Sequence, residues 1–246
     1  MLKLIADTHT HTLASTHAFS TILENARFAH DAGLSYLGWT DHAPMMTDAP
    51  HIWHFQNLEV VPDELCGVRL LKGAEADIRN GEGLLDLDDR ILAELGWVVA
   101  SVHRDVMPFT SVEEQTAAYI AAARNPHVDV IGHSGLASHP YDYDTAVRAF
   151  AEAGKLVEIN QGTFRVRQKS VPNCVTIAKL CMRYGCRIVV DSDAHFAYDI
   201  GQCPDALAML EEIGFPEELV VNADLARFES YLAERRERIQ LHQSGK

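Results

Sequence analysis

The chain has 246 residues, 47% hydrophobic and 23% charged, a make-up that excludes intrinsic disorder and fibrous repeats. Its 21 Lys and Arg stand against 35 Asp and Glu, a formal net charge of −14, so its overall field repels nucleic acids and anionic membranes. The five cysteines, Cys66, Cys174, Cys181, Cys186 and Cys203, include no C-x-x-C pair, which disfavours a disulfide framework or thiolate zinc site and reads as reduced core thiols.

In chain order, short apolar runs predict strands at Leu2 to Asp7, Tyr36 to Thr40, Val68 to Ala74, Trp97 to Val102, Val128 to Gly132, Leu156 to Asn160 and Arg187 to Asp191. Helical periodicity falls between them at Ser20 to Asp31, Ser111 to Arg124, Asp144 to Ala153, Val171 to Tyr184 and Asp199 to Ile213. Gly33, Gly154, Gly185 and Gly214 follow as left-handed helix ends. The alternation predicts an α/β fold around a buried parallel sheet. No linker or internal repeat interrupts it, so residues 1–246 read as one domain. Val171, Cys174, Ile177, Ala178 and Cys181 share a helical spacing that predicts burial. A last amphipathic helix over Asn222 to Gln240 is expected to turn Leu225, Phe228 and Leu232 inward and to leave Glu234 to Arg238 on a solvated face. The first run turns polar too early for a secretory signal, and no apolar run reaches the ~18 residues of a membrane span. A cytoplasmic protein without a membrane partner is expected.

Thirteen histidines are the compositional anomaly, because imidazole is the commonest protein ligand for zinc-like ions. His9 and His11 follow the first predicted strand two residues apart, so both leave the same face of an extended segment. His17 comes six residues later. His42 ends the second run, Glu75 the third, His103 the fourth, His133 the fifth, and Asp193 with His195 the seventh. These are carboxyl ends of strands, where βα barrels assemble their sites. One histidine at a strand end is ordinarily a hydrogen-bonded rim residue. Seven histidines and two carboxylates at such ends need partners that metal ions supply. Their number exceeds one coordination sphere, and the lack of a thiolate favours zinc, manganese or iron over copper(I). Glu75 has two oxygens with which to bridge two ions.

Other residues have two readings each. Arg165, Arg167 and Lys169 follow the sixth strand, which supplies no ligand of its own; they either contact phosphate or sit in a solvated loop. Trp53, His54 and Phe55, within a long Pro44 to Pro62 connection, form a lid or simply pack. Asp41 is read as orienting an imidazole by hydrogen bonding. His30, His51, His127, His139 and His242 earn no role.

The series Asp7-Thr-His9-Thr-His11, Thr40-Asp41-His42, Gly73-Ala-Glu75, Ser101-Val-His103, Ile131-Gly-His133 and Asp191-Ser-Asp193-Ala-His195 resembles the motifs of the PHP (polymerase and histidinol phosphatase) superfamily. Around His17, and from Asp48 to Phe55, the chain is most similar to the YcdX-like phosphatase branch. The resemblance implies a distorted (β/α)7 barrel with three divalent ions at the carboxyl ends of the strands, zinc foremost, with manganese or iron as alternatives. It assigns His9, His11, Glu75 and Asp193 to one ion, Glu75, His103 and His133 to a second, and His17, His42 and His195 to a third.

The implied activity is hydrolysis of small phosphomonoesters by a hydroxide bridging two ions, with Glu75 and Asp193 at the reacting centre. Two other readings share the metal site: a PHP nuclease acting on nucleic-acid ends, which the net charge disfavours, and a non-catalytic regulatory module, which nine intact ligand positions disfavour. An amidohydrolase lacks its lysine, since Lys72 lies inside the third strand. The expected partner is a small phosphorylated substrate; self-association into a homo-oligomer is compatible with the sequence.

Overall fold

The computed structural model describes residues 2–244. Its strands are β1 (Ala6–Asp7), β2 (Tyr36–Trp39), β3 (Glu64–Leu65), β4 (Val68–Asp77), β5 (Trp97–Ser101), β6 (Val130–Ile131), β7 (Leu156–Asn160) and β8 (Ile188–Asp191). Its α-helices are α1 (Ile22–Asp31), α2 (Trp53–Gln56), α3 (Asp89–Leu92), α4 (Val112–Arg124), α5 (Tyr143–Glu152), α6 (Gln161–Val166), α7 (Val171–Tyr184), α8 (Pro204–Glu212) and α9 (Leu225–Ser244). Seven strands run parallel in the order β1-β2-β4-β5-β6-β7-β8, and β3 pairs antiparallel with β4. The fold is a distorted (β/α)7 barrel, as expected. The β3–β4 hairpin is an addition the sequence reading lacks; its two-residue turn puts Cys66 and Gly67 at φ 53° and 79°, the handedness that tight hairpins require. Cys66 is therefore exposed, unlike the four buried cysteines.

The barrel is distorted because β1 and β8 do not pair through a regular ladder. One parallel bridge, Thr10 to Ala194, joins the two edges near the carboxyl end. Lower down, Asn222 fills the gap. Its Nδ2 donates to the carbonyls of Ala6 (2.9 Å) and Val190 (2.7 Å), and its Oδ1 accepts from the Val190 amide (3.0 Å). One side chain thus satisfies ladder groups of both edges that burial would otherwise leave costly. Asn222→Leu should accordingly cost about 3 kcal/mol in urea melts of the metal-loaded protein, since three buried backbone groups lose their partner. A loss below about 1 kcal/mol would show that water can replace the amide.

Strand alternation sorts the barrel into two layers. Outward residues such as Leu37, Val98, Ile131, Val157 and Val190 pack under the helices. Inward, the lower half is apolar: Tyr36, Leu71, Trp97, Val99, Leu156 and Val189 close over Phe228 and Tyr231 of α9, each buried aromatic contributing on the order of 2–3 kcal/mol. The upper half is polar, and it holds the site.

The last helix departs from expectation in two ways. It starts after Asp224, whose carboxylate caps the Arg227 amide, so Leu225 faces solvent and Tyr231 shares the buried stripe with Phe228. The segment Glu234 to Arg238 is also not a fully solvated face. Arg235 is buried, donating Nε to Asp129 at 2.8–2.9 Å, and Arg238 Nη2 reaches the same carboxylate at 2.6 Å. Asp129 lies just before β6 with no exposed surface, and a charge buried there requires such partners. In α7, Cys174, Ile177, Ala178 and Cys181 are buried as expected, with Val171 only partly so. Among the described residues no helix is long and apolar enough to cross a membrane.

Candidate metal centre

Each strand of the upper barrel delivers its side chain for a local reason. After β1 the chain stays extended, so Thr10 turns to the sheet, where its hydroxyl donates to the Gly38 carbonyl at 2.5 Å. His9 and His11 turn to the interior, both fully buried, with ring centroids 5.1 Å apart. Gly132, before His133, leaves no room for a side chain: a Cβ there would sit 2.2 Å from the Ser101 hydroxyl. Asp193 adopts φ 56°, a left-handed conformation that Asp tolerates better than most residues.

Glu75 is the hub. Its Oε1 lies 2.9 Å from His133 Nε2 and 3.6 Å from His103 Nε2. Its Oε2 lies 3.0 Å from His42 Nδ1, 3.3 Å from His9 Nε2 and 3.6 Å from His11 Nε2. The two oxygens thus face different histidines. Asp193 Oδ1 approaches His11 Nε2 at 3.2 Å and His9 Nε2 at 3.8 Å. His17 and His195 close the mouth, their rings 4.2 Å apart. All nine sequence-selected residues converge.

The same residues fit divalent ions on their own evidence. His9 Nε2, His11 Nε2, both ring nitrogens of His42, His195 Nε2 and Glu75 Oε2 are buried without hydrogen-bond partners; even the 3.0 Å approach of His42 to Glu75 lacks hydrogen-bond geometry. Orphaned acceptors and ring nitrogens facing one another are what a cation would satisfy. Ligand atoms close enough to share an ion occur in His9, His11 and Asp193; in His42, Glu75 and His103; in His11, His42 and His195; and in His17, His42 and Asp48. Asp48 was not foreseen. Electrostatics agree. Burial would raise the Glu75 and Asp193 carboxyls, but the imidazoles around them, His9 foremost, hold both well below the usual range. Burial would lower His42, yet Glu75 first, with Asp48 and Asp193, pulls it up to about 9.

A further shell fixes the rings. His9 Nδ1 bonds Glu158 Oε1 at 2.7 Å, His103 Nδ1 bonds Asp77 Oδ1 at 2.7 Å, and His17 Nδ1 bonds Asp48 Oδ2 at 2.6 Å. In each, Nε2 is left for the interior. Glu158 also accepts the His133 amide at 2.6 Å, so the sixth barrel strand contributes after all. Its signal in the sequence is an acid inside an apolar strand, where an unpaired charge would be costly. Asp7 and Asp191 cross-link the barrel's open edge: Ser192 donates amide and hydroxyl to Asp7, and Thr8 does the same to Asp191.

The remaining candidates separate. Asp41 does not touch an imidazole of the cluster. It accepts from Thr12, Ser15 and Trp39 and lies 3.3 Å from His54 Nε2, reaching His11 only through Ser15 (3.5 Å). It therefore fixes the loop that carries His17. In the long connection Phe55 is buried and Trp53 is 72% exposed. Arg167 joins the mouth, its Nη2 3.2 Å from Asp193 Oδ2 and its Nη1 buried without a partner. It lines the central cavity with His17, His42, Met46, Glu75 and Asp193. Arg165 pairs with Asp199 at 2.6 Å, and Lys169 is exposed outside that cavity.

A (β/α)7 barrel with a histidine–carboxylate cluster at the carboxyl ends of its strands defines a candidate metalloprotein. No family profile matches the chain. A probable phosphatase of Caldanaerobacter subterraneus subsp. tengcongensis is 46% identical over 240 residues, 97% of this chain and 94% of the relative. Another, from Thermoanaerobacter sp., is 44% identical over 241 residues, 97% of this chain and 98% of the relative. The chain belongs to the family of these probable phosphatases. Among solved structures, its fold is similar to that of histidinol phosphate phosphatase from Lactococcus lactis, solved with zinc, L-histidinol and phosphate: TM-score 0.58, 19% identity, 88% of this chain and 95% of that one.

Proposed function

We propose that this chain is a single-domain, metal-dependent phosphatase of the PHP superfamily, of its YcdX-like branch, acting on small phosphomonoesters in the cytoplasm. The observation that carries the reading is the buried cluster of orphaned imidazole and carboxylate atoms around Glu75, in a chain whose relatives are named probable phosphatases. His9, His11, Glu75 and Asp193 would hold one divalent ion, Glu75, His103 and His133 a second, and His17, His42 and His195 a third, with zinc favoured by the nitrogen-rich donor set. Bound ions would supply Lewis acidity, lowering the pKa of water towards ~7 and offsetting charge on phosphate oxygens.

The protein's own residues do the rest. Glu158, Asp77 and Asp48 lock the rings of His9, His103 and His17. Arg167, with its free Nη1, grips a phosphate oxygen at the mouth. Asp41 holds the loop beneath His17. Water adds to phosphorus, the ester P–O bond breaks, and the departing alkoxide takes up a proton as inorganic phosphate forms. Asp193 pairs with Arg167 at 3.2 Å and would be the acid at hand for that proton.

Elemental analysis of purified protein, paired with turnover of phosphomonoesters and oligonucleotides, tests the reading. Close to three ions per chain and release of phosphate from small esters are expected. One ion or none after reconstitution would overturn the trinuclear centre. Processive cleavage of oligonucleotides without action on small esters would replace the phosphatase with a nuclease.

A further inference from the structure

The basic residues at the rim do not all serve one phosphate. Arg167 lies at the junction of two concavities. One is the central cavity of the candidate metal centre. The other is an open basin beside it, lined by Arg165, Val166, Arg167, Gln168, Lys169 and Ser170. No acid is among those lining residues. That is unexpected in a chain of net charge −14: three other surface grooves are lined with Glu59 and Asp63, with Glu211 and Glu217, and with Glu237. Lys169 makes no hydrogen bond or ion pair among the described residues, and Arg165 spends one edge of its guanidinium on Asp199.

We infer that the basin is a second anion subsite, and that the preferred substrates are phosphomonoesters carrying another anionic group, carboxylate or phosphate, on the leaving group. This rests on the phosphatase reading and goes further, because Arg167 suffices for the scissile phosphate. Cations contiguous with a reacting site, here Lys169 without a pair and Arg165 and Arg167 each with one edge of the guanidinium engaged, raise the local concentration of a matching anion and favour it over a neutral isostere. Arg167 and Lys169 line the same basin two residues apart, so a small molecule whose two anions sit a few bonds apart can engage both.

The test compares kcat/KM for glycerol 3-phosphate, 3-phosphoglycerate and glycerol 1,3-bisphosphate in the metal-loaded wild type and in an R165Q/K169Q double variant. The last two substrates distinguish a carboxylate from a phosphate as the second anion. The wild type should prefer at least one of the two substrates that carry a second anionic group over glycerol 3-phosphate by about tenfold or more. That ratio should fall towards unity in the double variant, and in the wild type as salt is raised to about 1 M, where charge attraction is screened within ~3 Å. A wild-type ratio near one, or one unchanged by both the variant and salt, overturns the subsite and leaves the phosphatase standing. Absence of turnover on all three esters overturns both.

Discussion

Replacing Glu75 by Gln is expected to lower turnover of 4-nitrophenyl phosphate on the order of 10³-fold, about 4 kcal/mol of transition-state stabilisation, and to strip metal from the protein. The side chain keeps its shape but loses its charge at the point where the cluster is most crowded. Five histidines approach its two oxygens within 3.6 Å, and two cations placed on either side would repel each other without a shared anion between them. His17→Asn supplies the contrast. His17 is half-exposed, bonded to Asp48 and separated from Glu75 by the His42 ring, so its loss should weaken the third ion and leave slow turnover. Metal content and rate are measured on both variants. Full metal with near wild-type turnover in Glu75→Gln would remove the bridging role.

Eight of the nine cluster residues were legible because each lies at or just past the carboxyl end of a strand, and a parallel barrel gathers strand ends on one rim; His17, in the loop after β1, was legible only from the resemblance around it. Fold class was legible for the same reason: runs such as Trp97 to Ala100 are apolar on both faces, as only a doubly covered sheet allows. What escaped was set by contacts distant in sequence. Glu158 bonds His9 across 149 positions, and nothing local to its strand indicates that partner. Asn222 reads as a helix residue until β1 and β8 are brought to either side of it. Arg235 and Arg238 look like surface charges until Asp129 is seen buried beneath them. The basic trio after β7 shows the finer limit: their shared charge suggests one role, whereas α6 turns Arg167 to the cavity and leaves Arg165 on Asp199.

Removing the metal should abolish turnover and lower the melting temperature on the order of 10 °C, and the gap between loaded and stripped protein should widen as pH rises from 6.5 to 9. In the metal-free cluster, protons take the place of cations. His42 is held up to about 9 against an ordinary 6.5, because Glu75 outweighs its burial, and His9 is raised likewise by Glu158 and Glu75. A histidine raised in this way contributes its full stability below 6.5 and loses it as pH rises through the folded value. For His42 alone this is on the order of 3 kcal/mol. Asp77, pushed up to about 8 by burial and then by Glu75, acts in the same sense, since the folded state holds a proton there that the unfolded chain has already released. The opposing groups finish earlier. His11, pushed down to about 3 by burial and then by His42, adds stability only as pH climbs to 6.5, and the depressed Glu75 and Asp193 carboxyls complete theirs above their ordinary values of 4.5 and 3.8. Between 6.5 and 9, then, the remaining terms in the stripped cluster run downhill, whereas ions in the loaded protein pair with the carboxylates without any proton to lose. Thermal melts of dialysed and zinc-reconstituted protein at the two pH values read this directly. A loaded-to-stripped gap that is the same at both pH values would mean that Glu75 and Asp193 are not neutralised by protons on His9 and His42.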